Sequence, residues 1–392
     1  MRTGLILLTA TYILSQFYRA FLGVLGPSLQ VELGMSEAQL ANAASAWFLV
    51  FAAAQLPIGW AFDTVGPRRT TGALVTLAAG AGAVLFSLAT VPWQITLAMG
   101  LIGLGCAPML MASFFIIARG FAPAVFATYA ALVVGVGNLG NVAASTPLAW
   151  MLDGVGWRNT MLILAGVTVV CGVLITLILR DPEQIETDTK GSILDLFRIP
   201  ALWLIIPVVA VNYAPSASIR GLWIGPYLDQ VHGATTVQIG NVTFFAALLI
   251  AIGSIAMGPL DRIFGTRKWV VFTGVFSGAI FSTLLALYGG NGIWTAGIYT
   301  AMLSISGATF AVIVAHAKAF IPAHLTGRGV TLVNMFGIGG VGVLQAASGQ
   351  VFDWSKARSA DVAQPFETVF WFFAAVVLIG ATIYLFSRDS RD

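Results

Sequence analysis

Gly59-Trp-Ala-Phe-Asp63-Thr-Val-Gly66-Pro-Arg68-Arg69 and Gly258-Pro-Leu-Asp261-Arg-Ile-Phe-Gly265-Thr-Arg267-Lys268 are two copies of one polar loop, 199 residues apart, each set between long apolar runs. The chemistry of each copy suits a membrane surface. Its first glycine lets two helices approach closely, and its aspartate caps a helix or pairs with a guanidinium. The second glycine permits a tight turn, and the basic pair anchors the loop on the inner side. The second copy carries one extra residue between Asp261 and Gly265. At the same offset of 199, Gly26-Pro27 falls on Gly225-Pro226, Gln39 on Gln238, Asn42 on Asn241 and Gly140 on Gly339. A shared bias toward Ala and Leu does not align Gln, Asn and Pro, so the chain is a parallel duplication.

Working outward from the loops, apolar segments lie at 4–31, 38–62, 70–90, 94–118, 126–152 and 158–179, then at 201–228, 237–260, 269–288, 293–317, 329–352 and 366–387. Each is long enough to cross a bilayer core of about 30 Å, and none shows the period-two alternation of barrel strands. The expected fold class is therefore an all-α integral membrane protein of twelve spans in two pseudo-symmetric six-helix bundles, residues 1–180 and 200–392. A polar linker, 181–199, joins them. If the N-terminus is cytoplasmic, fourteen of the nineteen Lys and Arg fall on the inner side and only Arg158, Lys356 and Arg358 on the outer. This positive-inside pattern predicts an inner-membrane protein with both termini cytoplasmic.

Composition agrees: 58% of the 392 residues are hydrophobic and 9% charged, where a soluble domain carries about a quarter charged. The formal charge of +3 is topology and attraction to membrane lipid, with no implication of nucleic acid. Cys106 and Cys171 lie in separate apolar runs and read as packing residues. No Walker loop, His/Cys metal cluster or nucleophile elbow is present. The chain therefore reads as a monomeric carrier that is not an enzyme and needs no cofactor.

The loop pattern G-x-x-x-D-x-x-G-x-R-[RK] between spans two and three, repeated between spans eight and nine, resembles the major facilitator superfamily, and the resemblance covers essentially the whole chain. It implies a secondary transporter working by alternating access. It also implies a gating role for Gly59, Asp63, Gly66, Arg68, Arg69, Asp261, Gly265, Arg267 and Lys268.

Two basic residues are left inside the membrane, Arg19 near mid-depth of span one and Arg220 in span seven. A central arginine costs about 2.5 to 3.5 kcal/mol on insertion scales, so it should face an aqueous path or a partner. All sixteen Asp and Glu fall in loops, at span ends or at the termini. The expected partner is therefore a small anion, an organic carboxylate or phosphate, held bidentately between spans one and seven. Two like charges without cargo would disfavour an occluded state, which predicts exchange for a counter-anion or coupling to a proton. Helical spacing adds Tyr12, Ser15 and Gln16 on span one and Asn212, Tyr213, Ser216 and Trp223 on span seven, with Asn138, Tyr299 and Asn334 as candidates elsewhere. Phe17-Tyr18-Arg19 is similar to the organic-anion and organophosphate-antiporter branch of the superfamily. Gly135-Val-Gly137-Asn138-Leu-Gly140-Asn141 resembles part of the nitrate/nitrite porter signature. Spans two and eight lack those porters' arginines, and the glycines read first as packing positions. A proton-driven exporter of amphipathic compounds is a further alternative. His316, at the inner end of span ten, reads as a solvated interface histidine, with a proton relay as the alternative.

Overall fold

A computed structural model describes residues 2–121, 126–181, 193–257, 259–322 and 325–390. Most of the linker and Gly258 of the second loop lie outside the described residues. The chain forms two compact units, Met1–Glu186 and Thr187–Asp392. Among the described residues the regular structure is all helical. Backbone N–H and C=O groups find no partner in lipid, so each span must satisfy its own.

In the first unit, span one runs through Arg2–Ala20 and Leu22–Leu33 with a 52° bend at the break. Span two, Glu37–Thr64, starts on a capping box in which Ser36 and Gln39 bond each other's backbone N–H. Span three covers Pro67–Leu88 and contains a π-helical stretch, Leu74–Gly80. Span four is Pro92–Gly120. Span five is in pieces, Phe126–Gly137, Leu139–Ala143 and the start of Thr146–Ile178, where Gly156 at φ 76° breaks the helix and begins span six. The twelve expected segments thus appear as ten long apolar helices, one bent pair that makes span one, and the fragmented span five. Span five packs on span one through Gly140, where a Cβ would strike the Ile13 carbonyl and the Phe17 N–H.

In the second unit, span seven covers Pro200–His232, interrupted at Tyr213 and by a π-helical turn, Ile219–Trp223. Spans eight to twelve are Thr236–Met257, Arg267–Tyr288, Ile293–Lys318, Thr326–Lys356 and Gln364–Tyr384. A core near the end of the unit that carries the second motif loop joins Val208, Val271, Ile313, Val333 and Tyr384, which draws spans seven, nine, ten, eleven and twelve together.

Candidate functional site

Arg19 sits in the last helical turn before the bend of span one. Its guanidinium lies 5.0 Å from the ring centroids of both Trp47 and Phe51 on span two. Those two rings stack on each other at 4.9 Å and 20°, an arrangement that their i, i+4 spacing allows. Such contacts contribute about 0.5 to 2 kcal/mol and hold the guanidinium beside the ring pair. Among the described residues Arg19 makes no ion pair.

Four buried polar atoms around it have no well-formed hydrogen bond, Arg19 Nε, Trp47 Nε1, Ser15 Oγ and Gln16 Oε1, and the buried Cys106 thiol of span four lies within reach of Ser15 and Trp47. Gln16 spends its amide on Tyr12, donating Nε2–H to the hydroxyl at 2.7 Å. Three of the four atoms are donors, on a cationic floor. The spacing on span one thus brings Tyr12, Ser15, Gln16 and Arg19 together, and Trp47 and Phe51 join them. The neighbouring Tyr18 is fully buried and bonds Thr168 at 3.0 Å, so it is committed to the core.

In the second unit Arg220 is 2% exposed and lies in the π-helical turn, with the Tyr213 hydroxyl in bonding reach. A π-turn shifts side-chain register within a helix and recurs at functional sites. Asn212 accepts from Thr309 Oγ1 at 2.9 Å through Oδ1, while its Nδ2 and the Ser216 hydroxyl, both buried, have no partner. Trp223 behaves differently, because its indole N–H donates to Ser348 Oγ at 2.9 Å and its ring stacks on Phe352. Tyr299 and Asn334 are half-buried on spans ten and eleven. Asn138 Oδ1 accepts from Asn141 Nδ2 at 3.3 Å, beside glycines that pack against span one.

The motif loops are held by partners the sequence did not announce. In the first, Asp63 pairs with Arg119 of span four at 3.3 Å. Gly66 has φ 95°, and a Cβ there would meet the Asp181 carboxylate at 2.9 Å. Asp181, just past span six, accepts from the Arg68 N–H at 2.7 Å, while Arg68 Nε donates to the Thr176 carbonyl at 2.6 Å. In the second loop Asp261 pairs with Arg267 at 3.1 Å. Asp389, just past span twelve, accepts from Thr266 Oγ1 at 2.5 Å, from the Arg267 N–H at 3.2 Å and from the Lys268 N–H at 3.0 Å. Burial pushes the Asp389 carboxyl up, but these bonds outweigh it and hold the group below the usual carboxylate value. Helix capping therefore falls to Asp181 in the first loop and to Thr266 together with Asp389 in the second, and the motif aspartates make ion pairs. Gly59 is not a point of close approach, since a Cβ there would stand 3.7 Å from the end of Met111.

His316 is fully buried, which corrects the reading of a solvated interface residue. The C-terminal segment folds over it. The Arg388 carbonyl can only accept, so Nε2 carries the proton and donates to it at 3.0 Å. The Tyr384 hydroxyl then donates to Nδ1 at 2.6 Å.

The sequence profile described as Major Facilitator Superfamily matches residues 8–230, more than half of the chain. A probable sulfoacetate transporter, SauU, of Cupriavidus necator is 22% identical, covering 96% of this chain and 91% of its own. Among solved structures, a bacterial homolog of the human lysosomal transporter Spinster superposes with TM-score 0.77 at 16% identity, covering 98% of this chain and 96% of its own. A D-xylose-proton symporter gives 0.76 at 12% identity, covering 98% and 97%. The nucleoside transporter NupG gives 0.75 at 14%, covering 97% and 98%. These structures share the fold.

Proposed function

The chain belongs to the Major Facilitator Superfamily, a family of multi-pass membrane transporters and not enzymes, and we propose that it carries a small organic anion across the cytoplasmic membrane by alternating access. The observation that carries this reading is a guanidinium, Arg19, that has no carboxylate partner among the described residues, with the buried donors Arg19 Nε, Trp47 Nε1 and Ser15 Oγ gathered about it and only the weakly accepting Cys106 thiol beside them. Each unmet buried donor costs about 1 to 3 kcal/mol, and an oxyanion satisfies several at once. A neutral solute would leave the cation uncompensated in a low dielectric.

Arg220, with Tyr213, Asn212 and Ser216, supplies the second unit's cargo contacts in this reading. Two arginines match a dianion, and the relative from Cupriavidus necator is named for sulfoacetate, which carries a sulfonate and a carboxylate. The proposed cargo class is a short sulfonate or carboxylate dianion. The described Asp and Glu residues lie in loops or in the end turns of spans, so the cargo charge is balanced by exchange for a counter-anion. The excess of Lys and Arg in the motif loops and tails supports cytoplasmic termini.

The test is counterflow in proteoliposomes against a panel of sulfoacetate, dicarboxylates, organophosphates, nitrate and uncharged sugars. Exchange of the dianions and its loss in Arg19→Ala are expected. Exchange of sugars with no response to anions, or wild-type anion uptake by Arg19→Ala, would overturn the reading.

A further inference from the structure

Arg69 closes the first motif loop, yet the loop's ion pair and cap leave it out. It is exposed and makes no hydrogen bond or ion pair among the described residues. Two apolar grooves meet beneath it. One, of about 550 Å³, lies between spans two, three and four and is walled by Ala54, Pro57, Trp60, Leu74 and Leu104. The other, of about 410 Å³, lies between spans three and six and is walled by Gly72, Thr76, Leu77, Val173 and Leu177. Arg69 and Ala73 line both, one helical turn apart, so these two residues form the ridge between the grooves. Thr70 lines the first groove beside Arg69 and is 9% exposed, and its hydroxyl has no hydrogen-bond partner. A cation with no partner among the described residues, an unmet buried hydroxyl and two apolar grooves thus share one end of span three.

We propose that this is a binding site for one diacyl phospholipid with an anionic headgroup, its phosphate on Arg69 and the Thr70 hydroxyl and one acyl chain in each groove. Guanidinium matches phosphate in shape and charge. The two grooves part from a single cation, as two chains part from a single headgroup. From Arg69 to Leu77 the second groove follows span three for about 12 Å toward the bilayer interior, at 1.5 Å per residue. Ala73 has no side chain beyond Cβ, so the ridge stays low enough for the glycerol backbone to straddle it. The outer walls, Trp60, Leu77 and Leu177, are largely exposed and turn apolar surface toward lipid. A soluble anion would satisfy Arg69 and leave both grooves bare, whereas a diacyl lipid occupies all three features. Because Arg68 is fastened to Asp181, a lipid on Arg69 bears directly on the loop that gates the first unit. The inference is independent of the cargo's identity.

Native mass spectrometry of the purified transporter, titrated with phosphatidylglycerol, phosphatidylcholine and lysophosphatidylglycerol, tests it. Phosphatidylglycerol is expected to be retained about tenfold more tightly than either other lipid, the gain of a charge-assisted contact over a zwitterion and of a second chain over one. Arg69→Gln should abolish the preference for the anionic headgroup. Ala73→Phe, which keeps the charge and raises the ridge, should abolish the preference for two chains, and it carries the test if Arg69→Gln does not fold. Equal retention of all three lipids by the wild type would overturn the proposal. So would unaltered phosphatidylglycerol binding in both variants, or displacement of the lipid by inorganic phosphate alone.

Discussion

Replacing Arg19 by lysine and by glutamine separates the charge of the site from its shape. The guanidinium sits beside the stacked Trp47 and Phe51 rings, and its fork can grip an oxyanion bidentately. Two charge-assisted hydrogen bonds, discounted for the water lost by the cargo, amount to about 3 kcal/mol, or about a hundredfold in affinity. Arg19→Gln should lose that factor. Arg19→Lys keeps a point charge but neither the fork nor the guanidinium's contact with the ring pair, and should lose about 1.5 kcal/mol, about tenfold. Trp47→Leu, which leaves the fork but removes one stacking face, should cost about 1 kcal/mol and couple non-additively to Arg19→Lys. The assay is the concentration dependence of anion counterflow in proteoliposomes, with size-exclusion profiles to certify folding. A folded Arg19→Gln protein with wild-type half-saturation, or Arg19→Lys indistinguishable from wild type, would refute the argument from the fork.

Asp389→Ala should lower stability at neutral pH by about 1 kcal/mol, the cost of losing a helix-capping acceptor. The native carboxyl is held below the ordinary value of 3.8, so its contribution is present above that pH and fades as pH falls through the lower native value. The gap in unfolding temperature between wild type and Asp389→Ala, read by intrinsic fluorescence in detergent, should therefore narrow on acidification. A gap that widens would contradict it. His316→Phe leaves the Tyr384 hydroxyl and the Arg388 carbonyl unmet, at about 1 to 3 kcal/mol for each buried group. Hydrogen exchange of residues 385–390 should accelerate, and unchanged protection there would show that the histidine does not pin the tail. Gly140→Ala, which drives a methyl into the backbone of span one below Arg19, should depress transport, whereas Gly135→Ala, with nothing within 4 Å, should not. Equal transport by the two variants would remove the packing argument.

Much of the fold was legible because its signals are local. Runs of about twenty apolar residues, two copies of one loop and an excess of basic residues in alternate loops each report on their own neighbourhood. The features that escaped depend on residues distant in sequence. Asp181 reads as the start of a polar linker and Asp389 as part of a tail, and only folding brings them onto the motif loops. The burial of His316 escaped for the same reason, since hydropathy at a span end does not reveal that the tail closes over it. Trp47 and Phe51 did carry a signal in their i, i+4 spacing, but aromatics are so common in this chain that spacing alone did not single them out. The π-turns of spans three and seven leave no compositional mark.

What the duplication repeats, and what it does not, separates scaffold from specificity. At the offset of 199, Gly34 and Gly233 both end helices at φ 61°, and Gly66 and Gly265 both turn at positive φ. Each motif loop is capped by an aspartate that follows the last helix of its own half. These devices answer a demand common to both halves, which is to end a helix at a membrane surface and begin the next. The charged and aromatic residues in the membrane do not repeat. Arg19 corresponds to Ser218, Trp47 to Ala246 and Phe51 to Ile250, while Arg220 corresponds to Phe21. The first half thus presents a guanidinium beside a stacked ring pair, and the second a guanidinium in a π-turn beside a tyrosine. If both arginines served only helix packing or topology, the pressure on them would be the same in each half, and a symmetric placement would suffice. Each half instead surrounds its arginine with residues of its own, which sets these positions apart from the repeated scaffold. Moving the first arginine to its counterpart, by Arg19→Ser with Ser218→Arg, should therefore fail to restore the transport that Arg19→Ser loses, even though the net charge of the spans is unchanged, and recovery of uptake in proteoliposomes by the double variant would refute the argument.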